Sequence, residues 1–454
     1  MRLLVVGLAG TGAAVVDDAV ARGDAVVVTE DRPTGDGYLA RAAHARDLGV
    51  DVVEAPDDAR VRALVAGVDL VIPSPGVAPS HPAIVAATAA NVPVRSEIDL
   101  AVERLRVPTT DAPAPAIVAI TGTNGKTTVT SMIAAMGEAS GLRSPAVGNI
   151  GSPLIALPAS EVDVAVVEVS TFQLEFTTAA FAPDVAVLLN VAQDHVDWHG
   201  SVEAYVAAKA KVFAGQLPSQ VLVVNVDDPV SRELATRAPG RVVTCSRTAA
   251  EATFHVETGD EGDGVIVGPA GVRVQLPAFR AAHDVDNAIA ATAAALQVGA
   301  TVAAIEATLA SWTNLPHRVA LVATVDGVDF VDDSKATNAH ATASVLDGMD
   351  HVVLIAGGRD RSRNLHVLRP YASHLRAVVA IGEAASTVET VFADVVPVAR
   401  ADSMRGAVRE AAARSQRGDT VLLSPACASL DWYSSYAERG DDFAREVATL
   451  EREA

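Results

Sequence analysis

Short runs of Val, Ile and Leu alternate with Ala-rich stretches along the chain, and this alternation is the strongest constraint on its fold. The runs at residues 3–7, 117–121 and 352–356 are almost wholly apolar, which is typical of parallel strands buried on both faces. The Ala-rich stretches between such runs favour helices. The sequence therefore predicts an α/β protein built on parallel sheets.

Two proline-containing tracts divide this pattern into three regions. VPTTDAPAP at residues 107–115 holds three prolines and is typical of a linker, and WTNLPHR at residues 312–318 marks a second junction. A small antiparallel sheet is predicted at residues 253–276, followed by helices from residue 287. The predicted domains are residues 1–106, 107–314 and 315–454. The predicted strands are residues 3–7, 25–29, 69–73, 117–121, 164–167, 185–190, 221–225, 328–332, 352–356, 378–381 and 421–424.

Charge and cysteine content exclude several classes of function. The 454 residues carry a formal net charge of −21, which repels a polyphosphate backbone, so we expect no nucleic-acid partner. Two cysteines can form at most one disulfide, which is too few to stabilise a chain of this length. No run of about 18 apolar residues and no leader-like start are found, so we expect a cytoplasmic protein without a membrane partner.

Lysine is rare in this chain. Only Lys126, Lys209, Lys211 and Lys335 occur among 35 basic residues, and the others are arginines. A lysine that survives such a bias is expected where a compact ammonium or a deprotonatable amine is needed. Chance scatter is the alternative interpretation of the same four positions.

The segment IVAITGTNGKTT, residues 117–128, has the order strand, Gly-rich turn and helix that phosphate binding requires. Gly122 and Gly125 allow backbone N–H groups to surround a phosphate, and Lys126 supplies a cation at the helix start. Thr127 or Thr128 can place a hydroxyl on Mg²⁺. Although the general pattern has a glycine where this chain has an isoleucine at position 120, we predict a nucleoside triphosphate site here.

Three further residues are candidates for a metal site. Glu168 ends an apolar strand, where it can reach a metal ion at the carboxyl edge of a parallel sheet; a solvated strand-end acid is the alternative. His195 follows the next strand and fits a ligand or a structural role equally well. Lys209 lies among small apolar neighbours, where a neutral amine could react with carbon dioxide; a surface lysine is the simpler interpretation from the residues alone.

The N-terminal turn VVGLAGTG resembles a dinucleotide fingerprint, with Glu30 at the end of the next strand. The fingerprint needs glycine at position 9, where this chain has Ala9, so close approach of a pyrophosphate is impaired. A dehydrogenase is therefore weakly supported. A purely structural role is the alternative interpretation of Glu30.

A series of motifs in all three regions resembles the Mur ligases. In chain order the motifs are GTNGKTT, EVSTFQLE, NVAQDHVD, YVAAK, NVDDP, LPHR, DDSKATN and SPACASLD. The resemblance implies a Rossmann-like N-terminal domain for a uridine nucleotide, a central phosphate-loop domain for ATP and a Rossmann-like C-terminal domain. It also implies ligation of D-glutamate to UDP-N-acetylmuramoyl-L-alanine through an acyl phosphate, with ATP and Mg²⁺, by a monomer.

The resemblance also implies roles for individual residues. The catalytic positions are Lys126, Glu168, His195, Lys209 and Lys335. The ATP contacts are Gly122, Thr123, Asn124, Gly125, Lys126, Thr127, Thr128, Asn287, Arg318 and Asp333. The metal ligands are Thr127, Glu168, His195 and a carbamylated Lys209. The uridine-nucleotide contacts are Thr11, Glu30, Arg32, Ser74 and Asn149. The amino-acid contacts are Thr337, Arg361, Ser429 and Tyr436.

Two departures from the family pattern affect these expectations. The tract from His283 to Asn287 stands where the family has the pattern HNxxN, and it keeps Asn287 but alters a neighbouring position. Arg361 stands where the D-glutamate enzymes have a lysine. A guanidinium can still bind a carboxylate, but with a different reach. A related ligase for another amino acid, such as L-glutamate, and a non-catalytic nucleotide-binding regulator are the alternatives.

Overall fold

The strands of the chain form three separate sheets in the computed structural model, which describes residues 1–107, 113–258, 264–279, 281–360 and 364–453. By their contacts the described residues fall into two compact units. The first unit holds residues 1–191, 196–275 and 288–308, and the second holds residues 192–195, 276–287 and those from 309 onward.

The first sheet consists of parallel strands at the start of the chain. They are β1 (Arg2–Val6), β2 (Ala25–Glu30), β3 (Asp51–Glu54) and β4 (Leu70–Pro73). Their spatial order is β3-β2-β1-β4, as in one half of a dinucleotide-binding fold. The helices of this region are α1 (Gly10–Ala21), α2 (Asp36–Asp47), α3 (Asp58–Ala66), α4 (Pro82–Ala90) and α5 (Glu97–Leu105).

The second sheet is mostly parallel and carries an antiparallel extension at one edge. Its strands are β5 (Ala116–Thr121), β6 (Ala146–Gly148), β7 (Val164–Glu168), β8 (Val185–Leu188), β9 (Val221–Asn225), β10 (Arg241–Ser246), β11 (Phe254–Thr258), β12 (Gly264–Val267) and β13 (Arg273–Gln275). Their order is β13-β12-β11-β10-β9-β8-β5-β7-β6. Strands β11 to β13 pair antiparallel, as predicted for this stretch.

Helices connect or follow these strands. They are α6 (Lys126–Ala139), α7 (Thr171–Glu175), α8 (Val196–His199), α9 (Val202–Ala214), α10 (Pro229–Ala235), α11 (Ala282–Gln297) and α12 (Val302–Ala310), with short 3-10 helices at Leu154–Ala156, Ala159–Glu161 and Pro269–Gly271. Helix α11 begins before the predicted start at residue 287, because the tract around His283 already has helical backbone.

The third sheet lies in the second unit. Its strands are β14 (Ala320–Val325), β15 (Val328–Asp332), β16 (Val352–Gly357), β17 (Leu375–Ile381), β18 (Val398–Arg400) and β19 (Thr420–Leu423), in the order β14-β15-β19-β16-β17-β18. Only the β14–β15 hairpin is antiparallel among these described pairs. The helices are α13 (Ala339–Leu346), α14 (Ala385–Phe392), α15 (Met404–Arg414) and α16 (Tyr436–Glu453), with a 3-10 helix at Leu365–His374.

The predicted α/β architecture is confirmed. Sequence reasoning missed the short strands β3, β6 and β18 and also the six-residue strands β10 and β14. Strands β6 and β18 have three residues each, and the edge strand β3 has only two apolar residues between acids. The domain boundaries near residues 107 and 315 stay predictions, and residues 108–112 of the predicted linker lie outside the described residues. Among the described residues no helix is both long enough and apolar enough to cross a membrane.

Two buried residues, on and before helix α5, make hydrogen bonds to segments between strands of the second sheet, within the first unit. The backbone N–H of Ser96 donates to the carbonyl of Phe176 at 2.9 Å. The side chain of Glu97 accepts from the N–H of Ile155 at 2.7 Å. Burial raises the pKa of Glu97 to about 7. Folding therefore favours the protonated form of this carboxyl group, and ionisation works against the folded state.

We expect Glu97→Gln to change the pH dependence of stability. The amide keeps an oxygen for the Ile155 N–H but cannot ionise. Wild-type stability from this group is present in acid and is lost as pH rises from about 4.5 through 7. The free energy of unfolding of the variant, relative to that of wild type, should therefore rise by up to about 3 kcal/mol between pH 5 and pH 8. Thermal unfolding at both pH values measures the effect.

Glu233→Gln is the matched control, since the Glu233 side chain is 71% exposed. It should shift stability equally at both pH values. A Glu97→Gln variant that behaves in the same way would contradict the assignment of a buried, protonated carboxyl group.

Candidate phosphate-binding site and its surroundings

The phosphate loop lies where β5 meets α6. Strand β5 ends at Thr121 and α6 begins at Lys126, so the intervening turn sits at the helix N-terminus. Gly125 adopts φ 84°, a left-handed conformation that favours glycine. The Lys126 ammonium donates to the carbonyls of Gly122 and Thr123 at 2.9 and 3.0 Å. The cation thus lies over the loop, where phosphate oxygens would meet both it and the helix dipole.

Asn190, which follows strand β8, holds this loop in shape. Its side-chain oxygen accepts from the N–H of Asn124 at 2.8 Å, and its amide donates back to the Asn124 carbonyl at 3.2 Å. Its own carbonyl accepts from the N–H of Thr123 at 2.9 Å. Sequence reasoning did not assign Asn190 a role. Its position at a strand end beside the loop strand is the signal that could have identified it.

Glu168 is a buried acid beside the loop. It pairs with Ile120 across the β5–β7 ladder and is 2% exposed, so the interpretation as a solvated strand-end residue is wrong. One carboxylate oxygen accepts from the side-chain amide of Asn149 at 2.7 Å. The other oxygen is buried and has no hydrogen-bond partner among the described residues. A buried carboxylate oxygen without a donor is an arrangement that a cation would satisfy.

Lys209 is also buried, at 1% exposure, so a surface lysine is excluded. Its ammonium nitrogen lies 4.8 Å from the centre of the Tyr205 ring, one turn earlier on α9. The Tyr205 hydroxyl lies 2.8 Å from the Thr123 hydroxyl of the phosphate loop. Tyr205 was not among the predicted site residues, although it opens the YVAAK motif. It connects the helix that carries Lys209 to the loop that carries Lys126.

The remaining predicted metal ligands are Thr127 and His195. Thr127 lies in the first turn of α6. His195 belongs to the second unit, has φ 50° and exposes 44% of its side chain. Within the described ranges, no three side chains of His, Cys, Asp or Glu are grouped so that they could hold a metal ion.

The predicted uridine-nucleotide residues cluster in part around the first turn of the first sheet. Glu30 accepts from the backbone N–H groups of Leu8 and Arg32 at 2.8 and 3.0 Å, so it stabilises this turn. The Ser74 hydroxyl donates to the Gly7 carbonyl at 2.7 Å. Thr11 is half-buried in α1 and Arg32 is exposed. Asn149, by contrast, contacts Glu168 of the second sheet.

The motif DDSKATN connects several segments of the second unit. The Asp333 carboxylate accepts from the Ser424 hydroxyl at 2.7 Å. Burial raises the pKa of Asp333 to about 7, although the Ser424 hydrogen bond and the charge of Arg318 oppose that shift. The Lys335 ammonium lies 3.7 Å from the centre of the Tyr436 ring. Two predicted site residues, Lys335 and Tyr436, are thus in contact.

The other predicted residues of the second unit are placed separately. Asn287 and Ser429 are buried and Thr337 is exposed. Arg361 lies outside the described residues.

A fully buried arginine, Arg439, holds this motif against helix α16. Its guanidinium donates to the Ser334 hydroxyl at 2.9 Å, to the Ser334 carbonyl at 2.7 Å and to the Cys427 carbonyl at 3.0 Å. Burial lowers the pKa of Arg439 to about 10. Sequence reasoning missed it because an arginine in an acidic terminal helix is typical of a solvated face.

A Gly-rich loop at a helix N-terminus, with a buried acid at the end of the neighbouring strand, is the arrangement typical of phosphate-binding α/β proteins. The model of the Mur ligase middle domain matches residues 120–295, and that of the Mur ligase glutamate ligase domain matches residues 317–427. The chain belongs to the Mur ligase family.

Individual relatives agree with this assignment. The UDP-N-acetylmuramoylalanine--D-glutamate ligase of Thermobifida fusca is 40% identical, with 99% of this chain and 98% of that protein covered. The protein of the same name from Frankia casuarinae is 41% identical, with 99% and 94% covered. The MurF ligase of Thermotoga maritima, solved in complex with ADP, shares the fold at a TM-score of 0.62 and 18% identity, with 98% and 95% covered.

Replacing Arg439 by methionine should destabilise the second unit. The change leaves the Ser334 and Cys427 acceptors buried without their donor, at a cost of about 1–3 kcal/mol for each unsatisfied group. We expect the free energy of unfolding to fall by about 3 kcal/mol or more, and by less for Arg439→Lys, which keeps a donor. Denaturant unfolding measures the loss.

Arg445→Met on the same helix is the control, since that side chain is 67% exposed. Exposed ion pairs contribute only about 0–1 kcal/mol. Equal losses in Arg439→Met and Arg445→Met would show that the three buried hydrogen bonds do not stabilise the fold.

Proposed function

We propose that this protein is an ATP-dependent amide ligase that adds D-glutamate to UDP-N-acetylmuramoyl-L-alanine, a cytoplasmic step of peptidoglycan precursor synthesis. The observation that carries the proposal is 40% identity to an enzyme named for that reaction over 99% of the chain. The phosphate loop at Lys126 supports the use of ATP. The impaired fingerprint at Ala9 argues against a dehydrogenase.

The proposed reaction has two steps. The terminal carboxylate of the uridine-linked substrate attacks the γ-phosphorus of ATP, forming an acyl phosphate and releasing ADP. The amine of D-glutamate then attacks the acyl carbon, the carbon–oxygen bond to phosphate breaks, and an amide and inorganic phosphate result. The first step brings two anions together, so it needs charge neutralisation more than a protein nucleophile. Lys126 would provide part of that positive charge.

Magnesium is the proposed metal. Thr127, Glu168, His195 and a carbamylated Lys209 would hold it, and when bound it would neutralise charge on the phosphates. The buried oxygen of Glu168 that has no partner in the described part of the chain fits a cation. The burial of Lys209 favours the uncharged amine that carbamylation requires.

Substrate contacts complete the proposal and follow the family positions. Lys335 would act at the reacting groups, and the protein would work as a monomer of three domains, residues 1–106, 107–314 and 315–454. The proposed ATP contacts besides the loop are Asn287, Arg318 and Asp333. The proposed uridine-nucleotide contacts are Thr11, Glu30, Arg32, Ser74 and Asn149. The proposed amino-acid contacts are Thr337, Arg361, Ser429 and Tyr436.

The test is phosphate release with ATP, Mg²⁺ and UDP-N-acetylmuramoyl-L-alanine in the presence of D-glutamate, L-glutamate or other amino acids. D-glutamate should give the highest kcat/KM. Preference for L-glutamate would assign the protein to a related ligase and identify Arg361 as the first residue to substitute. Absence of amino-acid-dependent phosphate release, together with retained ATP binding, would favour a nucleotide-binding regulator.

Lys126→Ala should lower kcat by about 100-fold or more, because loss of one charged transition-state donor has effects of this size. Arg237→Ala is the control, since Arg237 is 68% exposed on the surface. Wild-type kcat in Lys126→Ala would refute the role of the phosphate loop.

Lys209→Ala should lose activity and recover part of it when short carboxylic acids are added, because the acid replaces the carbamate as a negatively charged ligand. Circular dichroism checks that the variant folds. The same acids should not restore Lys126→Ala, whose defect is a missing cation. A folded Lys209→Ala variant that no acid restores would contradict carbamylation.

A further inference from the structure

The segment around Arg318 has a strained backbone. His317 has φ 61° and Val319 has φ 48°, so a residue in the left-handed region lies on each side of Arg318. For a β-branched residue such as Val319 this conformation is a true outlier. Strain of this kind persists only where surrounding groups impose the conformation, and it is concentrated at functional sites.

A buried Asp–His pair supplies such a restraint. Nδ1 of His317 lies 2.7 Å from a carboxylate oxygen of Asp332, and the side chains are 15% and 5% exposed. Because a carboxylate only accepts, Nδ1 carries the hydrogen. The other oxygen of Asp332 accepts from the N–H of Ser334 at 2.8 Å. Both oxygens are therefore used, and the ring orientation is fixed.

The same pair also fixes Lys335. The backbone N–H of Lys335 donates to the carbonyl of His317 at 3.1 Å. The His317 ring meets the edge of the Tyr436 ring at 6.1 Å between centres, and Tyr436 is the ring that faces the Lys335 ammonium. His317 therefore restrains both ends of Lys335, its backbone directly and its side chain through Tyr436.

Helix α16 leaves room for this pair only because residue 440 is glycine. A Cβ on Gly440 would collide with Nδ1 of His317 and would lie 2.6 Å from the Asp332 carboxylate. Ordinary helix positions favour alanine over glycine, so a glycine here costs helix stability. The close approach of the Asp–His pair explains why glycine stands here despite that cost.

We propose that His317 and Asp332 are positioning residues that hold Arg318 and Lys335 in the conformation needed for nucleotide binding. The inference rests on the proposed function, in which Arg318 contacts ATP. His317 is bonded to Arg318 along the chain, its carbonyl accepts from the N–H of Lys335, and its ring packs against Tyr436. The hydrogen bond to Asp332 fixes that ring, so its loss weakens the restraint on the backbone at Arg318 and on the Lys335 side chain. Asp332 acts through His317.

The test compares two substitutions of His317, of which only one keeps a side-chain hydrogen-bond donor. His317→Gly removes the donor but accommodates φ 61° without strain, so the variant should fold. His317→Asn keeps a donor near the position of Nδ1 and tolerates the left-handed region. Calorimetric titration of the full chain with ATP should give about 10-fold weaker binding for His317→Gly, the effect of one lost charge-assisted hydrogen bond. His317→Asn should stay within about 3-fold of wild type.

A double-variant cycle tests whether Asp332 acts through His317. Asp332→Asn should weaken ATP binding about as much as His317→Gly does. If Asp332 acts through His317, the double variant should bind ATP as well as the single variant with the lower affinity. Losses that multiply in the double variant would overturn the pairing. In the ligase assay, KM for ATP should rise in these variants while KM for the uridine-linked substrate stays unchanged.

Gly440→Ala disturbs the pair without changing either member and should reproduce the loss in ATP affinity. Gly406→Ala on α15 is the control, since a Cβ there meets nothing closer than 3.2 Å. Unchanged ATP affinity in His317→Gly and Gly440→Ala, or equal losses in His317→Gly and His317→Asn, would overturn the proposal. Failure of the wild-type chain to bind ATP would instead count against the proposed function.

Discussion

The order of strands around β5 is the constraint on which the candidate site depends. Strand β5 lies between β7 and β8, so the carboxyl ends of all three parallel strands meet at one edge of the sheet. The phosphate loop follows the first, Glu168 ends the second and Asn190 follows the third. Ligands of open α/β sheets bind at such an edge, and here the topology alone brings together residues that are far apart in the chain.

Buried ionisable groups recur wherever one segment must be held against another. Glu97 on α5 accepts from Ile155, Glu168 ends β7 beside the strand that leads into the phosphate loop, and Arg439 on α16 binds Ser334 of the DDSKATN motif. Each is expensive to desolvate and is tolerated because hydrogen bonds compensate part of the cost. Glu97 and Glu168 both keep one buried carboxylate oxygen that has no hydrogen-bond partner among the described residues. Glu168 differs in position, since it ends the strand beside the one that leads into the phosphate loop.

The sequence predicts those parts of the fold and site that depend on local pattern. Apolar runs located most of the central strands, and the Gly-rich turn before Lys126 located the phosphate loop because strand, turn and helix are consecutive there. Contacts between distant residues were not predictable in this way. Asn190 is 66 positions from its partner Asn124, and Arg439 is 105 positions from Ser334. The burial of Lys209 likewise depends on how α9 packs, so its residues alone favoured the wrong interpretation.

Helix α5 has a consequence for how such proteins can diversify. The polar groups on and before this helix bind backbone atoms in segments between strands of the second sheet. The N-terminal region therefore cannot be exchanged for a foreign one without leaving Ile155 and Phe176 without their hydrogen-bond partners. Recombination between relatives would succeed only if the crossover point lies upstream of Ser96, or if the segments that contain Ile155 and Phe176 come from the same parent as the helix. The segment that can be exchanged as a unit is therefore larger than the first sheet. Its boundary is set by hydrogen-bond partners rather than by the proline-rich linker.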